Sequence, residues 1–310
     1  LAKGVPPDAV RTLPQRLAFL GALGVRDIGG AASRHPQLLE YDVDRTMAPL
    51  SEYLLSLGVA DVGKLVGRAP AIFGCDVSFD LHRKVGVLQA LGVVGVAKWL
   101  TRNPRLYTLD MERDIRPAVE YLRAVENLEV GRVIERAGLC AFDVEATRTR
   151  LDFLRKLDVP EPKRGWIVSR WPQILSTPVE SNLQRKADWL REKGFTMPNV
   201  LLKNPTILSM PIETNLAPKL EYLVSEMEVS IEDIQHFARI LNYSVEHLAS
   251  RHEFLALMDR KRVRLHRTYR SSAHTFATKI AGSSNNFYQQ VFLPEMGFEK
   301  VAKPAGGEAF

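Results

Sequence analysis

A six-residue pattern recurs along the chain with a period of 33 to 35 residues. Most copies contain a basic residue, any residue, a proline, any residue and two apolar residues, as in RNPRLY at residues 102–107. Two copies have alanine in place of the proline. The seven anchor residues are Pro36, Pro70, Pro104, Ala137, Pro172, Pro205 and Ala238. A fixed period of this length predicts a solenoid of small units that bury their apolar faces against their neighbours.

Helix signals recur in register with the anchors. An apolar pair lies 17 and 18 residues after most anchors, which predicts the buried stripe of a first helix. Gly58 and Gly92 indicate where such helices end. A shorter second helix, such as residues 61–68, should lead into the next proline-centred turn. The chain is therefore predicted to be an all-α solenoid of about seven helical repeats of 33–35 residues.

A mostly acidic column lies eight residues after the anchors, close to the predicted helix starts. At one start Thr177 can cap the helix, Pro178 suits the first helical position, and Glu180 completes a capping box. An acid in the first turn also opposes the helix dipole. We assign these residues a structural role and no catalysis: Asp44, Ser78, Glu112, Glu145, Glu180, Glu213 and Glu246.

A second column, 13 residues after the anchors, alternates between proline and arginine, and we call it the proline–arginine column. Its members are Pro49, Arg83, Pro117, Arg150, Arg185, Pro218 and Arg251. Proline within a helix should kink it and free a carbonyl. Because unpaired arginines are seldom buried, the arginines predict an exposed or partly exposed face.

The ladder of proline strings, apolar pairs and kinked helices over residues 17 to 292 resembles the mitochondrial transcription termination factor (mTERF) family. This resemblance implies an all-α superhelix shaped like a half ring, with a concave basic face that holds duplex DNA or structured RNA. It also implies residence in mitochondria or chloroplasts. The chain departs from the pattern at Ala137 and Ala238, and Glu135 interrupts the basic column around the fourth unit.

The predicted organisation has three parts. Residues 1–16 form an N-terminal lead-in, residues 17–292 form the mTERF-like solenoid with a basic C-terminal part at 239–279, and residues 293–310 form a flexible C-terminal tail. Glycine and proline near the end of the chain support the prediction of a tail. Residues 283–292 resemble the terminal capping helix of the family.

Charge is concentrated in one part of the chain. The chain has 42 basic and 36 acidic residues, a net charge of +6. Residues 239–279 contain nine basic and three acidic residues, so this part alone carries +6 and the remainder balances at 33 against 33. A nucleic-acid-binding solenoid with a neutral body must therefore segregate its charges by face.

Three sets of cations are candidate phosphate contacts. The first recurs on the proline turns and could instead neutralise the carbonyl end of the preceding helix: Arg34, Arg68, Arg102, Arg170 and Lys203. The second could be ordinary solvated helix arginines: Arg83, Arg150, Arg185 and Arg251. The third is the densest and could be a solvated charged helix: Arg260, Lys261, Arg262, Arg264, Arg267 and Arg270.

Signals for other classes of protein are missing. The seven histidines include no zinc-hydrolase pair, Cys75 and Cys140 lack metal-ligand spacing, and no glycine-rich phosphate loop occurs. No apolar stretch approaches the roughly 20 residues that span a membrane. We therefore expect no enzyme, no cofactor, no metal site, no small-molecule substrate and no membrane contact.

Together with the charge distribution, the resemblance to the mTERF family implies an organellar nucleic-acid-binding protein. The partner predicted first is structured ribosomal RNA in or near a mitochondrial ribosome, with ribosomal proteins as further partners, because basic residues concentrate at one end of the chain. One alternative is a DNA-binding factor for transcription termination or regulation. Another is a helical scaffold for protein interactions, and the alternative organelle is the chloroplast.

Overall fold

The computed structural model describes residues 12–75, 80–260 and 265–298. These residues form helices and turns and none of them lies in a strand, which confirms the predicted all-α class. The described α-helices are α1 (Leu13–Ala22), α2 (Ile28–Arg34), α3 (Ala48–Ser56), α4 (Val62–Arg68), α5 (His82–Ala90), α6 (Val96–Arg102), α7 (Arg116–Ala124), α8 (Val130–Ala137), α9 (Val144–Lys156), α10 (Glu161–Arg170), α11 (Arg185–Glu192), α12 (Met197–Lys203), α13 (Ala217–Glu221), α14 (Ile231–His236), α15 (Val245–Leu257), α16 (Leu265–Arg270), α17 (Ala273–Thr275) and α18 (Leu293–Glu295).

Seven short 3₁₀ turns occur at the anchors, one per repeat. They are Pro36–Leu39, Pro70–Gly74, Pro104–Thr108, Gly138–Phe142, Pro172–Ser176, Pro205–Ser209 and Ala238–Asn242. Proline suits the first position of such a turn because its φ is already fixed and the missing N–H would have no partner there. Each turn is followed by a first helix (α3, α5, α7, α9, α11, α13 or α15) and a second helix (α4, α6, α8, α10, α12, α14 or α16). The predicted repeat is confirmed, including its two copies without proline.

The prolines of the proline–arginine column coincide with widened π-helical turns at the starts of first helices. Val43–Met47 precedes Pro49, Met111–Ile115 precedes Pro117, and Ile212–Leu216 precedes Pro218. Proline cannot donate the usual helical hydrogen bond, so the turn before it opens. Where arginine replaces proline in the two repeats that also lack the anchor proline, α9 and α15 are uninterrupted helices of 13 residues.

Further π-helical turns that lie wholly within the described residues are Val179–Gln184, Tyr222–Glu226, Phe276–Ile280 and Phe287–Phe292. The first of these precedes Arg185 rather than a proline, and nothing in its surroundings explains the widening. The last packs its aromatic side chains into a C-terminal core built around Phe254 and Tyr288. Helix α18 and Phe298 extend this core into the predicted tail, whose residues 299–310 lie outside the described residues.

First helices end in a residue with left-handed backbone. Gly58 illustrates this end, with a φ of 87° and the Val59 amide donating back to the Leu54 carbonyl at 3.0 Å. Glycine adopts this conformation without the steric penalty of a Cβ atom. Equivalent positive φ angles occur at Gly24, Gly92, Asn127, Asp158, Gly194, Glu228 and Asp259.

Close approach of neighbouring repeats depends on a second set of glycines. A Cβ atom added to Gly63 of α4 would collide with the Leu23 carbonyl oxygen, and one added to Gly131 of α8 would collide with that of Leu91. Helix α4 therefore rests directly on the end of α1, and α8 rests on the end of α5. Neighbouring turns also pack together, with Pro36–Leu39 on Pro70–Gly74 and the latter on Pro104–Thr108.

Buried and half-buried lysines tie several repeats together. Lys186 Nζ donates to the Leu208 carbonyl at 2.8 Å, and Lys219 Nζ donates to the Leu241 carbonyl at 2.8 Å. Lys84 occupies the equivalent position, directly after the proline–arginine column, and approaches the Tyr107 carbonyl at 3.5 Å. In each case the acceptor lies in the turn of the following repeat. These ties satisfy turn carbonyls that would otherwise be buried without a partner.

The chain forms two compact bodies, Leu1–Asp152 with Arg164–Ser176 and Phe153–Lys163 with Thr177–Phe310. Repeats 1 to 3 lie in the first body and the helices of repeats 5 to 7 in the second. Among the described residues no helix combines the length and the apolar character needed to cross a membrane. The predicted boundaries at residues 16 and 292, and the half-ring curvature, stay predictions.

Candidate nucleic-acid interface

A row of arginines lies at the ends of the second helices in the first body and of the preceding helix α2. Arg34, Arg68, Arg102 and Arg170 are the last residues of α2, α4, α6 and α10. The fifth member is Arg136, in the last turn of α8. The interval between successive members is the same throughout the row. We call these five arginines the helix-end row.

Arg136 corrects the prediction that Glu135 interrupts the basic column. That prediction measured the position from Ala137, which lacks the turn-forming proline. Helix α8 therefore continues through Ala137, and the turn begins only at Gly138. The row is continuous through this repeat, and its fourth cation lies one residue later than the anchor spacing predicted.

Neighbouring members of the row are close in space. The Arg34 guanidinium Nη2 lies 2.5 Å from the carbonyl oxygen of Gly67, the residue before Arg68. The turns that follow these two arginines pack against each other. Packed helices lie about 8–10 Å apart, and one strand of a B-form duplex carries a phosphate every 3.4 Å or so along its axis. A step of this size would match about three nucleotides.

Members of the row differ in their availability to a ligand. Arg68 and Arg102 are exposed and form no hydrogen bond or ion pair with any described residue. Arg34 is exposed, but it donates to the Gly67 carbonyl of the next second helix. The Arg170 guanidinium lies over the Trp166 ring at 5.5 Å and is half-buried. Arg68 and Arg102 are thus the members best placed to neutralise phosphates.

Two lysines that the sequence analysis did not select extend the row. Lys64 and Lys98 lie one helical turn before Arg68 and Arg102, and both are exposed. Residues four apart share one face of a helix. Helices α4 and α6 therefore each present two cations on one face. The signal was available in the sequence, because Lys64, Lys98 and Arg132 recur at the same interval as the row.

Lys203 ends α12 in the second body and is exposed, as predicted for a candidate phosphate contact. Its side chain has no hydrogen-bond or ion-pair partner within the described part of the chain. Its backbone carbonyl accepts a hydrogen bond from Arg239 Nε at 3.2 Å. Arg239, rather than Lys203, therefore neutralises the carbonyl end of this helix.

The arginines of the first helices have protein partners. Arg83 forms an ion pair with Glu112 at 3.1 Å, and Arg185 forms one with Glu213 at 2.5 Å. In both cases the acid belongs to the acidic column of the following repeat. Arg150 is half-buried and donates to the Ala146 carbonyl at 3.3 Å. Carboxylates next to Arg83 and Arg185 oppose the approach of a phosphate.

Arg251 was predicted to lie on an exposed face, and this prediction is wrong. Its side chain is 3% exposed. Its guanidinium donates to the Thr268 carbonyl and, at 2.9 Å, to the Ser271 carbonyl, and it packs on the Phe276 ring at 4.7 Å. The reason is that segments after α15 fold over this face and supply carbonyls to the arginine.

Three members of the predicted C-terminal basic cluster lie among the described residues. Arg260, Arg267 and Arg270 are exposed. The other predicted members, Lys261, Arg262 and Arg264, lie outside the described residues. Arg267 and Arg270 belong to α16, which is anchored to α15 through the hydrogen bond from Arg251 to the Thr268 carbonyl. A buried arginine thus positions a helix that presents two exposed ones.

Titratable groups in the interior serve packing. Burial raises the pKa of the Cys75 thiol to about 11, and its Sγ donates to the Tyr107 carbonyl at 3.1 Å. Burial also lowers the pKa of His247 to about 4, and its ring stacks on Tyr243 at 4.9 Å. In the part of the chain that the structure describes, no three His, Cys, Asp or Glu side chains are grouped to hold a metal ion.

The mTERF family model matches residues 17–202 and, in an overlapping match, residues 130–277. Comparison with the curated proteins returned no match. The two family matches together contain all seven turns, all five arginines of the helix-end row and most of the basic C-terminal part. The family consists of helical-repeat proteins that are not typically enzymatic. The chain belongs to the mTERF family of organellar nucleic-acid-binding proteins.

Proposed function

We propose that this protein binds structured ribosomal RNA in mitochondria, as a component of the organellar ribosome or a factor on it. The helix-end row is the observation that carries the proposal. Arg68 and Arg102 are exposed, lack protein partners among the described residues, and stand one repeat apart. Side chains placed in this way can neutralise phosphates about three nucleotides apart along a nucleic-acid helix.

Recognition by such a surface depends on the shape and charge of the ligand. Contacts to phosphates set the register and orientation of a protein but carry no direct base information. Proteins recognise A-form RNA helices mainly by shape and through phosphates and 2′-hydroxyl groups. Evenly spaced guanidinium groups suit this mode, because each can form paired hydrogen bonds with phosphate oxygens.

The distribution of charge favours RNA within a large assembly. The excess of positive charge lies in residues 239–279, whereas the exposed row lies in the first body. Two separate basic surfaces can contact separate segments of a folded RNA. A ribosomal RNA offers such segments, and the exposed Arg267 and Arg270 would contact one of them.

The even spacing of the helix-end row supports a second candidate. A constant interval between its members would also follow the regular phosphates of a B-form DNA duplex. In that case the protein would act as a factor for transcription termination or regulation. A direct comparison of the two nucleic acids separates these functions.

The double variant Arg68→Gln with Arg102→Gln tests the row. Binding to an RNA hairpin and to a DNA duplex of matching sequence is measured by fluorescence anisotropy at several salt concentrations. If both arginines contact phosphates, the slope of log K against log salt should become shallower by about 1.4 to 1.8. The matched control is Arg45→Gln with Arg123→Gln, which removes two exposed first-body arginines outside the row. If the two double variants have equal slopes, Arg68 and Arg102 do not contact phosphates and the row is not part of the interface.

Sedimentation from lysed mitochondria tests the cellular assignment. We expect the native protein to migrate with a ribosomal subunit and to leave it after RNase treatment. Release by DNase from nucleoids would instead establish the DNA-binding alternative. Recovery of the protein in light fractions under every condition would contradict both the RNA-binding and the DNA-binding assignment. It would favour a protein scaffold.

A further inference from the structure

A pocket of about 800 Å³ opens within the second body. Four segments line it: the end of the π-helical turn Tyr222–Glu226 with the residues after it, helix α14 with Phe237, helix α15 and helix α16. Ligand pockets in proteins commonly have volumes of about 300 to 1,000 Å³. The pocket is therefore large enough to take several side chains of a binding partner.

The charge of the pocket is opposite to that of its surroundings. Glu226, Glu228 and Asp233 line it together with three histidines, His236, His252 and His266, whereas no lysine or arginine among the described residues does. Residues 239–279, which include two of the four lining segments, carry nine basic and three acidic residues. Like charges repel at close range, so a phosphate is disfavoured in this pocket and a cation is favoured.

Apolar and aromatic side chains make up about half of the lining residues. Leu255 and Tyr269 are buried, and Met227, Phe237 and Leu265 are partly exposed. The Tyr269 hydroxyl already donates to the Leu248 carbonyl at 3.2 Å, so no ligand is needed to satisfy it. Methionine adapts to different partner shapes and is frequent at surfaces that bind peptides.

We propose that this pocket binds an amphipathic segment of a partner protein that presents lysine or arginine beside apolar side chains. Charge complementarity selects the cation, and the apolar lining residues select the side chains next to it. The site is distinct from the helix-end row, which lies in the first body, and it shares helix α16 with the exposed Arg267 and Arg270. The protein would then hold a nucleic acid and a protein at the same time and join them.

The test uses the full chain and a fluorescent 14-residue peptide with lysine beside leucine along one face of a helix. The pocket variant combines Glu226→Gln, Glu228→Gln and Asp233→Asn. The matched control combines Glu52→Gln, Glu120→Gln and Glu192→Gln, which removes three exposed acids elsewhere. We expect the pocket variant to bind the peptide at least tenfold more weakly than the wild type, and the control to stay within twofold.

A second variant separates apolar packing from charge. Ala256→Trp should fill the pocket without changing its charge. The affinity for the peptide should fall by a similar factor. Replacing the lysines of the peptide by glutamate should abolish binding to the wild type. Equal peptide affinities for the wild type and the pocket variant would overturn the proposal.

Methionine methyl NMR locates the bound peptide. The Met227 signal should shift on addition of the peptide, whereas Met47 and Met111, in the first body, should not. A Met227 signal that stays in place, or one that shifts with an RNA hairpin instead, would contradict the proposal. RNA affinity of the pocket variant is measured in parallel, so failure of peptide binding is distinguished from failure of the RNA-binding function.

Discussion

Arginines at the helix ends and arginines on the first helices both recur once per repeat, yet they have different surroundings. Arg68 and Arg102 are exposed and lack partners among the described residues, whereas Arg83 and Arg185 face carboxylates of the following repeat. Arg251 occupies the same column as Arg83 and is buried. Recurrence therefore identifies an equivalent position in each repeat, and the neighbouring repeat determines what a side chain there does.

The largest expected effect on stability comes from replacing Arg251, which is the buried arginine in this comparison. Arg251→Met should lower the free energy of unfolding by about 3 kcal/mol, because the Thr268 and Ser271 carbonyls would lose their donor. Urea denaturation followed by circular dichroism measures the change. Arg68→Met is the control and should stay within about 0.5 kcal/mol of the wild type. Equal losses in the two variants would erase the distinction between a buried and an exposed repeat arginine.

A pH effect should come from His247, which lies in the same buried region. Burial, with a smaller contribution from Arg251, holds the pKa of His247 at about 4, below its ordinary value of 6.5. The unfolded chain therefore binds a proton between pH 6.5 and 4 that the folded chain excludes. This residue's contribution to stability is complete above pH 6.5 and is lost as the pH falls towards 4, by about 2 kcal/mol at pH 5.

His247→Phe keeps the ring stacked on Tyr243 and removes the titration. Urea midpoints of the variant should therefore fall less between pH 7 and pH 5 than those of the wild type. Parallel pH profiles for the two proteins would show that His247 is protonated in the folded state.

A smaller loss of stability is expected from the buried tie between repeats 6 and 7. Burial lowers the pKa of Lys219, and its ammonium group donates to the Leu241 carbonyl at 2.8 Å. Lys219→Met should cost about 1 to 2 kcal/mol, since the carbonyl loses its partner. Lys203→Met, at an exposed helix end, is the matched control and should be nearly neutral in urea denaturation.

The smallest expected effect concerns the exposed ion pair between Arg83 and Glu112. A double-mutant cycle with Arg83→Gln and Glu112→Gln should give a coupling energy below about 1 kcal/mol that declines with salt. Glu112→Gln alone should leave RNA affinity unchanged, because this face lies outside the proposed interface. A gain in affinity would show that Arg83, or Arg116, which also pairs with Glu112 at 2.7 Å, reaches a phosphate once this carboxylate is removed.

Local sequence signals predicted the turns and helices, because each rests on the chemistry of a few neighbouring residues. Pro104 at its turn and Pro117 beside its widened helical turn are examples. Side-chain surroundings were harder to predict, because they depend on distant segments. The burial of Arg251 requires Thr268, Ser271 and Phe276 to pack over it.

The candidate interface was predicted in part. Arg68 and Arg102 were identified from their spacing, but Arg136 was missed because positions were counted from the anchors. The lysines that tie the repeats were also missed. Their acceptors are backbone carbonyls, which exist at every residue and leave no trace in the sequence.

The constant spacing of the helix-end row has a consequence for changes in chain length. Anchor spacings vary from one repeat to the next, whereas the five arginines of the row keep one constant interval. A single-residue insertion within a second helix would rotate the following cation by about 100° around the helix axis. Insertions in the loops between helices would leave its direction intact. Natural variants of this protein should therefore gain or lose residues in those loops, or exchange whole repeats.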